Sequence, residues 1–342
     1  MKKCLLWLVL LLNFSVNAQK LFKPVLSSYQ EDELIMRVNQ VFEETVLASQ
    51  DSAMAFSELD SLYEYANKKN LPKLEVTAIG RKGIYYKSIL NNCEGALPYF
   101  NEALHLAQKK HLKALSAEYM HHSGYASIRL GDYEEGFKKI LEADNILDQL
   151  GYNHIYKPER IIYNMARVYH EFGNYNQAEK YLLKSLSFSD NNHMKIRVYN
   201  GLGIVYTDWE KHEKAIESFK LLLELINPQH DTITTIVAYS NIGMAYLSLG
   251  EFEKARPYLN KAFDMKLNKK HLHYRYSSLL SLAKLALHDQ NLSLAKSYLQ
   301  TAVNIMQKFN IRALDAWSSY YSLKASILQN ENAFEEALMY KD

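Results

Sequence analysis

Histidines, a cysteine and paired glutamates are the residues of this sequence that could bind a metal ion or carry out catalysis. His121 is followed directly by His122, and His271 and His273 are separated by one residue. Side chains one position apart on a helix point about 100° apart, and those two positions apart diverge further. Because a metal chelate on a helix needs ligands three or four residues apart, we expect no metal site.

The other candidates for catalysis have structural explanations. Cys93 follows two asparagines in a predicted turn and has no recognisable catalytic histidine motif beside it. The pairs Glu134–Glu135 and Glu335–Glu336 stand at predicted helix starts, where carboxylates interact favourably with the helix dipole. The sequence has neither a glycine-rich phosphate loop nor a nucleophile elbow. We therefore expect a protein that is not an enzyme and uses no cofactor.

The N-terminus, residues 1–18, has the pattern of a secretory signal peptide. Lys2 and Lys3 precede an apolar run from Leu5 to Leu12, and Ala18 is the small residue that a signal peptidase requires. We predict cleavage after Ala18 and export, so that the mature protein is periplasmic or secreted. The apolar run is too short to span a bilayer and no later run is longer, so we expect no membrane span in this chain.

Charge and cysteine content argue against a nucleic-acid partner and against a disulfide. The chain has 40 basic and 38 acidic residues, and removal of Lys2 and Lys3 with the signal leaves 38 of each. A neutral chain lacks the electrostatic support that binding to a phosphate backbone needs. Cys4 precedes the apolar run, which is the wrong place for a lipid anchor, and its removal leaves Cys93 without a partner for an intramolecular disulfide.

A phrase of small and apolar residues returns along the chain and indicates the architecture. Its first small residue is Ala96, Gly136, Ala178, Ala215, Ala255, Ala295 and, in a weaker copy, Ala337. The spacings of 40, 42, 37, 40, 40 and 42 residues are typical of stacked helical units rather than of one globular core. A divergent first copy around Ala55 starts near Tyr29. We predict an N-terminal linker over residues 19–28 and helical repeats over residues 29–342.

Each phrase follows another helical pattern, clearest at Tyr199, Leu202, Gly203 and Tyr206 and repeated 40 residues later. With these two patterns the sequence resembles the tetratricopeptide-repeat family, and its long repeat resembles the kinesin-light-chain type. The resemblance implies an all-α fold, an α-α superhelix or solenoid of about eight helix pairs, the last of them incomplete. It also implies that ligands bind along a concave wall made by the first helix of each pair.

Glycine and proline positions refine this picture. Glycines on the first helices, such as Gly203, are predicted to face small residues and so let the paired helices approach closely. Gly131 and its counterparts are predicted to end helices in the left-handed conformation. Pro98 and Pro257 are predicted to lie in the opening turn of a second helix, where a proline removes no intrahelical hydrogen bond.

Outward positions on the first helices define a candidate peptide-binding wall that is rich in arginine and tyrosine. These positions are chosen by helical spacing away from the packed stripe. They are Arg81, Tyr85, His121, Tyr125, Arg129, Arg160, Tyr163, Arg167, His170, Arg197 and Asn200. The resemblance adds Asn164 and Asn241, because asparagines at that position imply contacts to a peptide backbone, and Asn200 is one residue out of that register. Beyond Arg197 the wall has mostly small or aliphatic side chains in place of arginine and tyrosine. These positions are Ser240, Met244, Leu247, Ser277, Leu280, Lys284, Ser319 and Ser322.

The wall suggests a ligand and a function. Arginine offers paired donors to a carboxylate and tyrosine offers rigid contact area, so we expect a peptide that is acidic or has a free carboxylate. The competing interpretation is that the arginines are solvated or paired with neighbouring carboxylates. We predict an exported, non-catalytic scaffold that binds a protein or peptide partner. The alternative is the ligand-sensing region of a membrane-bound signalling regulator, and a glycan binder is a third class.

The last repeat stops at Asp342, about two turns into its predicted second helix. Helical arrays normally end in a helix with a polar outer face, so this end is predicted to be uncapped. We expect a downstream domain, a partner or a second copy of the chain to cover it.

Overall fold

The computed structural model describes residues 21–26, 30–49 and 51–340, and these residues form helices and turns without a β-strand. The predicted signal peptide, with Cys4, and Asp342 lie outside the described residues. The chain divides into two compact units, Met1–Asn164 and Met165–Asp342, called here the first and second units. Over the described residues, both the all-α prediction and the eight helix pairs with a short last pair are confirmed. No helix in the described ranges is long and apolar enough to cross a bilayer.

The first unit is a stack of helices joined by short turns. Its helices are α1 (Glu31–Val41), α2 (Ser52–Lys69), α3 (Pro72–Ser88), α4 (Cys93–Lys109), α5 (Lys113–Arg129) and α6 (Tyr133–Leu150), and α7 (Pro158–Glu171) contains the boundary between the units. From α2 to α6 each helix packs against the next. The first helices of the pairs also touch, because α1 contacts α3 and α3 contacts α5.

Helix α1 continues through a π turn over Phe42–Val46 and a last turn over Leu47–Ser49. The buried residues Leu34, Val38, Phe42 and Val46 follow one another at a spacing of four. An α-helix has 3.6 residues per turn, so three steps of four overshoot by about 120° in total. The π turn, which closes its hydrogen bonds over one more residue, makes up the difference and keeps this row on the core.

The segment predicted as a linker is part of the first unit's core over residues 21–26. Phe22 is 2% exposed and belongs to the same apolar cluster as Leu59 and Leu62 of α2. The hydroxyl of Tyr65 donates a hydrogen bond to the carbonyl oxygen of Leu26 (2.8 Å). These residues of the predicted linker therefore pack on α2, because a short apolar segment gains more free energy there than by remaining hydrated.

The second unit repeats the same helix–turn–helix plan, and each of its helices from α8 onward packs against the next. These helices are α8 (Tyr175–Ser187), α9 (Asn192–Asp208), α10 (His212–Leu225), α11 (Thr232–Ser248), α12 (Phe252–Asp264), α13 (Tyr276–His288), α14 (Leu292–Lys308), α15 (Leu314–Asn330) and α16 (Phe334–Leu338). Among the first helices of its pairs, α11 contacts α13 and α13 contacts α15.

Close helix approach at glycine is found in both units, with different neighbours. A Cβ on Gly124 would lie 2.6 Å from the carbonyl oxygen of Gly136, so here glycine faces a small residue as predicted. A Cβ on Gly203 would instead lie 2.5 Å from the ring of Phe219, and one on Gly243 2.5 Å from Leu259. In these pairs the glycine makes room for a large apolar side chain one turn further along the second helix.

The predicted glycine helix ends are found in the structure, but the predicted positions of the prolines are not. Gly131, Gly173 and Gly250 have φ values of 94°, 72° and 74°, which confirms the predicted left-handed ends. Pro98 and Pro257, however, are each the sixth residue of their helix, not part of its opening turn. Each therefore leaves the carbonyl four residues earlier without its intrahelical donor. Those carbonyls belong to exposed residues, so water can hydrate them.

Candidate functional site

A groove runs over the first helices of the second unit and encloses about 820 Å³. Three neighbouring helices, α11, α13 and α15, supply most of its lining. The lining includes Ser240, Asn241 and Met244 of α11, Ser277, Ser281 and Lys284 of α13, and Ser319, Ser322 and Ser326 of α15. The groove exists because these positions carry small or thin side chains.

The groove offers a few polar groups on an otherwise neutral surface. Asn241 is half-buried, and its amide has no hydrogen-bond partner among the described residues. Lys284 is exposed and likewise has no ion-pair partner in the described ranges. Asp315 contributes the one lining carboxylate. Ser240 differs from these groups, because its hydroxyl donates to the carbonyl oxygen of Ile236 on the same helix (2.8 Å).

The first unit has a cavity of about 630 Å³ between α1, α3, α5 and the segment 153–157. Arg81, which lines it, is 5% exposed, and its Nε donates to the Asn39 side-chain oxygen at 2.7 Å. Arg81 Nη1 donates to Glu118 Oε1 at 3.3 Å, and Glu118 is 3% exposed. Burial raises the pKa of the Glu118 carboxyl, and the Arg81 guanidinium opposes that rise.

Four residues of the predicted wall are buried in the first unit. Tyr85 and His121 are fully buried, Arg81 is 5% exposed and Tyr125 is 8% exposed. The prediction that they face outward was wrong, because the first helices of this unit touch one another and cover side chains that helical spacing alone directs away from the second helices. Tyr85 belongs to the apolar core cluster with Leu59 and Leu62.

Several of the predicted cations are paired with carboxylates of the chain itself. Arg160 Nη1 lies 2.5 Å from Glu43 Oε1, and Lys157 contacts the same carboxylate. Arg167 lies 3.8 Å from Glu171 at one helical turn. His170 Nε2 lies 2.6 Å from Asp208 Oδ2. These contacts support the paired interpretation of the wall for Arg81, Arg160 and Arg167, and Arg129 and Arg197 are exposed.

The remaining predicted site residues lie at the surface without converging on either cavity, apart from Asn241 in the groove. Tyr163, Asn164 and Asn200 are half-buried. The structure thus brings Asn241 together with the serine-rich positions, which the sequence did not single out as candidates for ligand binding. A signal was available, since Ser277 and Ser319 stand at equivalent positions of successive repeats, 42 residues apart, as do Ser240 and Ser322 with Leu280 between them.

The histidine pair is a packing feature of the first unit. His121 is fully buried, and neither ring nitrogen has a hydrogen-bond partner. The ring of His122 stacks on Phe100 with centroids 5.2 Å apart. Burial, with a smaller contribution from Lys87, lowers the pKa of His121 to about 3. Across the described residues no group of three or more His, Cys, Asp or Glu is arranged to hold a metal ion.

Comparison with known proteins places this geometry among helical repeats. A family model described as "Tetratricopeptide repeat" matches residues 158–227 and 195–268. Regulatory protein RapD of Bacillus subtilis (strain 168) is 27% identical over 144 residues, which are 41% of this chain and 39% of RapD. The match thus spans well under half of that curated relative.

Two solved structures resemble this chain over most of its length. The apo form of the quorum sensor NprR from B. thuringiensis matches with a TM-score of 0.61 at 16% identity, covering 91% of this chain and 87% of NprR. A signal-transduction ATPase with a tetratricopeptide repeat sensor from Pyrococcus horikoshii gives 0.60 at 15% identity, covering 92% and 53%. At these identities the likeness concerns the fold.

Proposed function

We propose that this chain, which belongs to the tetratricopeptide-repeat family, binds a peptide segment of a partner in the groove of its second unit and has no catalytic activity. The groove itself carries the proposal. Its volume of about 820 Å³ falls within the range of ligand-binding clefts, and three helices converge on it. Small side chains at successive repeats leave room for the side chains of an extended segment.

The polar groups of the groove suit a peptide that has a carboxylate. The Asn241 amide can donate to and accept from a peptide backbone, and neither function is used within the described chain. Lys284 is the groove's unpaired cation and can meet a side-chain or terminal carboxylate of the ligand. The proposed ligand is therefore an acidic or free-carboxylate segment, as expected from sequence, held by Lys284 instead of by the arginines.

The comparisons support a regulatory setting for such binding. RapD is a regulatory protein and NprR a quorum sensor, and this chain is similar to part of the first in sequence and to the second in fold. We further propose that the chain is exported by its N-terminal signal and acts as a scaffold. The alternative proposal is that it is the ligand-sensing region of a membrane-bound regulator.

Peptide binding can be tested with a phage-displayed library of random peptides selected on the full mature chain. A selected peptide, labelled with fluorescein, is then titrated by fluorescence anisotropy. We expect Asn241→Ala to weaken binding by about tenfold, the equivalent of one lost hydrogen-bonding side chain. The double variant Ser277→Phe/Ser319→Phe fills the groove and should abolish binding.

Matched controls lie on the other helix layer of the same unit. Asn260→Ala and Ser297→Phe change exposed residues on α12 and α14, outside the groove, and should leave the affinity unchanged. If no peptide is selected, or if the groove-filled variant binds as tightly as wild type, the proposal is wrong.

Localisation requires a separate measurement in the native source. Soluble and membrane fractions are probed with an antibody against the second unit. A soluble extracytoplasmic band just below the calculated 39.7 kDa supports the scaffold, and a markedly larger membrane band supports the sensor. A cytoplasmic band would contradict both.

A further inference from the structure

We propose that the cavity of the first unit binds a small organic carboxylate with an apolar body, independently of the peptide groove. Buried polar side chains mark this cavity: Asn39, Thr77, Arg81 and Glu118 are each between 1% and 5% exposed and line it from α1, α3 and α5. An apolar core of similar volume would be at least as stable, so a buried ion pair is poorly explained by stability alone.

Arg81 supplies the anion-binding group. Of its five N–H donors, Nε bonds to Asn39 and one on Nη1 to Glu118, and the other three have no partner among the described residues. The Nη1–Oε1 distance of 3.3 Å is longer than the 2.7–2.9 Å typical of charge-assisted bonds, so the guanidinium charge is incompletely neutralised. The short bond to Asn39 holds the guanidinium plane in a fixed orientation.

Aromatic rings complete the setting of the guanidinium. Its central carbon lies 5.9 Å from the ring centroid of Phe42 and 5.9 Å from that of Tyr156. Such contacts hold a planar cation without consuming its N–H donors. Arg81 is therefore oriented and retains donors for a planar, bidentate acceptor, which is the geometry of a carboxylate.

The charges around the cavity favour a monoanion. The lining has four cationic side chains, Lys73, Arg81, Lys113 and Lys157, against two carboxylates, Asp32 and Glu118. Lys157 is paired with Glu43 beside the lining, which leaves an excess of one positive charge. Lys113 is exposed and has no ion-pair partner in the described ranges. Glu118 stands beside Arg81, so a dianion such as phosphate would meet repulsion at the deepest point.

The rest of the lining is apolar and sets the size of the ligand. Ile35 and Met36 of α1, Leu112 and Leu115 at the start of α5, and Ile155 face the same space. A volume of about 630 Å³ is that of a small-molecule site. A carboxylate group attached to an aliphatic or aromatic body can contact both Arg81 and the apolar lining of the cavity.

The test compares carboxylates with uncharged amides of the same shape on the full mature chain. Octanoate, phenylacetate and indole-3-acetate are titrated by calorimetry beside octanamide, phenylacetamide and indole-3-acetamide, with inorganic phosphate as a further probe. We expect at least one acid to bind ten times more tightly than its amide, and phosphate to bind more weakly than that acid. Equal binding of acid and amide, no binding of any acid at 10 mM, or tighter binding of phosphate would overturn the proposal.

Variants locate the binding. Arg81→Met/Glu118→Leu replaces the ion pair with apolar side chains and should reduce affinity for the acid at least tenfold, with folding checked by circular dichroism. Lys113→Ala removes an exposed rim cation and should weaken binding two- to fivefold, and it decides the matter if the double variant does not fold. Lys109→Ala, an exposed lysine outside the cavity, is the control. Unchanged affinity in both Lys113→Ala and a folded double variant would assign the binding to another surface.

Discussion

The two units carry different side chains at the same repeat position, and this difference separates a wall of buried ionisable side chains from a groove lined by uncharged ones. In the first unit the position is held by Arg81 and His121, which are buried. In the second unit Ser240, Leu280 and Ser322 stand at the equivalent place, and all three line the groove. Arg81 is held by Asn39 and Glu118 while it lines its own cavity, whereas the second unit has no ionisable group at this position, so the loss of a charge should affect the stability of the first unit only.

The largest expected effect comes from removing a buried charge from the first unit. Arg81→Met leaves Glu118 buried without its cation, which should destabilise the first unit by about 3–5 kcal/mol. Lys284→Met in the groove, where the cation is exposed and unpaired, should change stability by no more than about 0.5 kcal/mol. Urea unfolding followed by far-ultraviolet circular dichroism measures both.

Tryptophan fluorescence can assign that loss to a unit. Trp209 and Trp317 both lie in the second unit, and residues 19–164 contain no tryptophan. In Arg81→Met we expect part of the dichroism to be lost at low urea while the fluorescence transition stays in place. Equal losses for Arg81→Met and Lys284→Met would remove the distinction between the walls.

Acid should also act on the first unit before the second. The pKa of His121 is lowered by burial to about 3, against 6.5 when unfolded, so between these pH values the unfolded state binds a proton that the folded state does not. The contribution of neutral His121 to the free energy of unfolding is therefore fully present above about pH 6.5 and is lost as the pH falls towards 3. His121 alone should cost about 2–3 kcal/mol at pH 4.5.

His121→Leu should remove this part of the acid sensitivity, and His105→Leu, which changes an exposed histidine of α4, should not. The measurement is dichroism against pH, with tryptophan fluorescence as the report on the second unit. A His121→Leu chain that unfolds along the wild-type pH curve would show that His121 is not the group responsible.

Glycine contacts give a smaller contrast between the units. Alanine at Gly124 would press on the backbone oxygen of Gly136, which cannot turn aside, so we expect Gly124→Ala to cost about 1–2 kcal/mol after its gain in helix propensity. Alanine at Gly243 meets the side chain of Leu259, which can shift, and should cost less than about 1 kcal/mol. Thermal unfolding of the two variants gives the order, and the reverse order would contradict the packing described here.

The smallest effect concerns helix ends, where the units should behave alike. Glu210 in the second unit ends a helix at φ 57°, a conformation that costs an L-residue more than glycine. Glu210→Gly should stabilise by about 0.5–1 kcal/mol, and Gly131→Ala in the first unit, at φ 94° with open space around it, should lose a similar amount. Differential scanning calorimetry resolves both, and a destabilised Glu210→Gly chain would count against strain at this end.

The repeat could be predicted from sequence because small anchor residues such as Ala215 and Ala255 recur at a nearly fixed spacing. Glycine ends could be predicted as well, since glycine marks the left-handed conformation. Glu210 and Gln290 adopt the same conformation without any such mark, because the turn between stacked helices imposes it. The prediction that the prolines lie in an opening helical turn was wrong, because their helices begin five residues before them, at Cys93 and Phe252.

The candidate site was less accessible to sequence reasoning. Helical spacing tells which way a side chain such as Tyr85 leaves its own helix, but not whether the next first helix covers it. The chemistry of a side chain also does not tell whether it is available to a ligand. Arg160 could bind a carboxylate of a ligand, but it is paired with Glu43, which lies 117 positions away in the sequence. Ser277 and Ser319 have no conspicuous chemistry, and the groove is a property of the space that they leave between helices.

The π turn at Phe42–Val46 gives the first helix one residue more than an ordinary α-helix needs for the same number of turns. Deleting one residue there, for example the exposed Glu44, would leave Leu34 and Val46 eleven positions apart, which is within about 20° of three full α-helical turns. Both side chains would then still lie against the same core, and an ordinary α-helical turn would replace the π turn. We therefore expect this helix to tolerate a one-codon deletion inside the π turn better than a deletion in its regular turns, where the flanking segments would rotate by about 100° relative to each other.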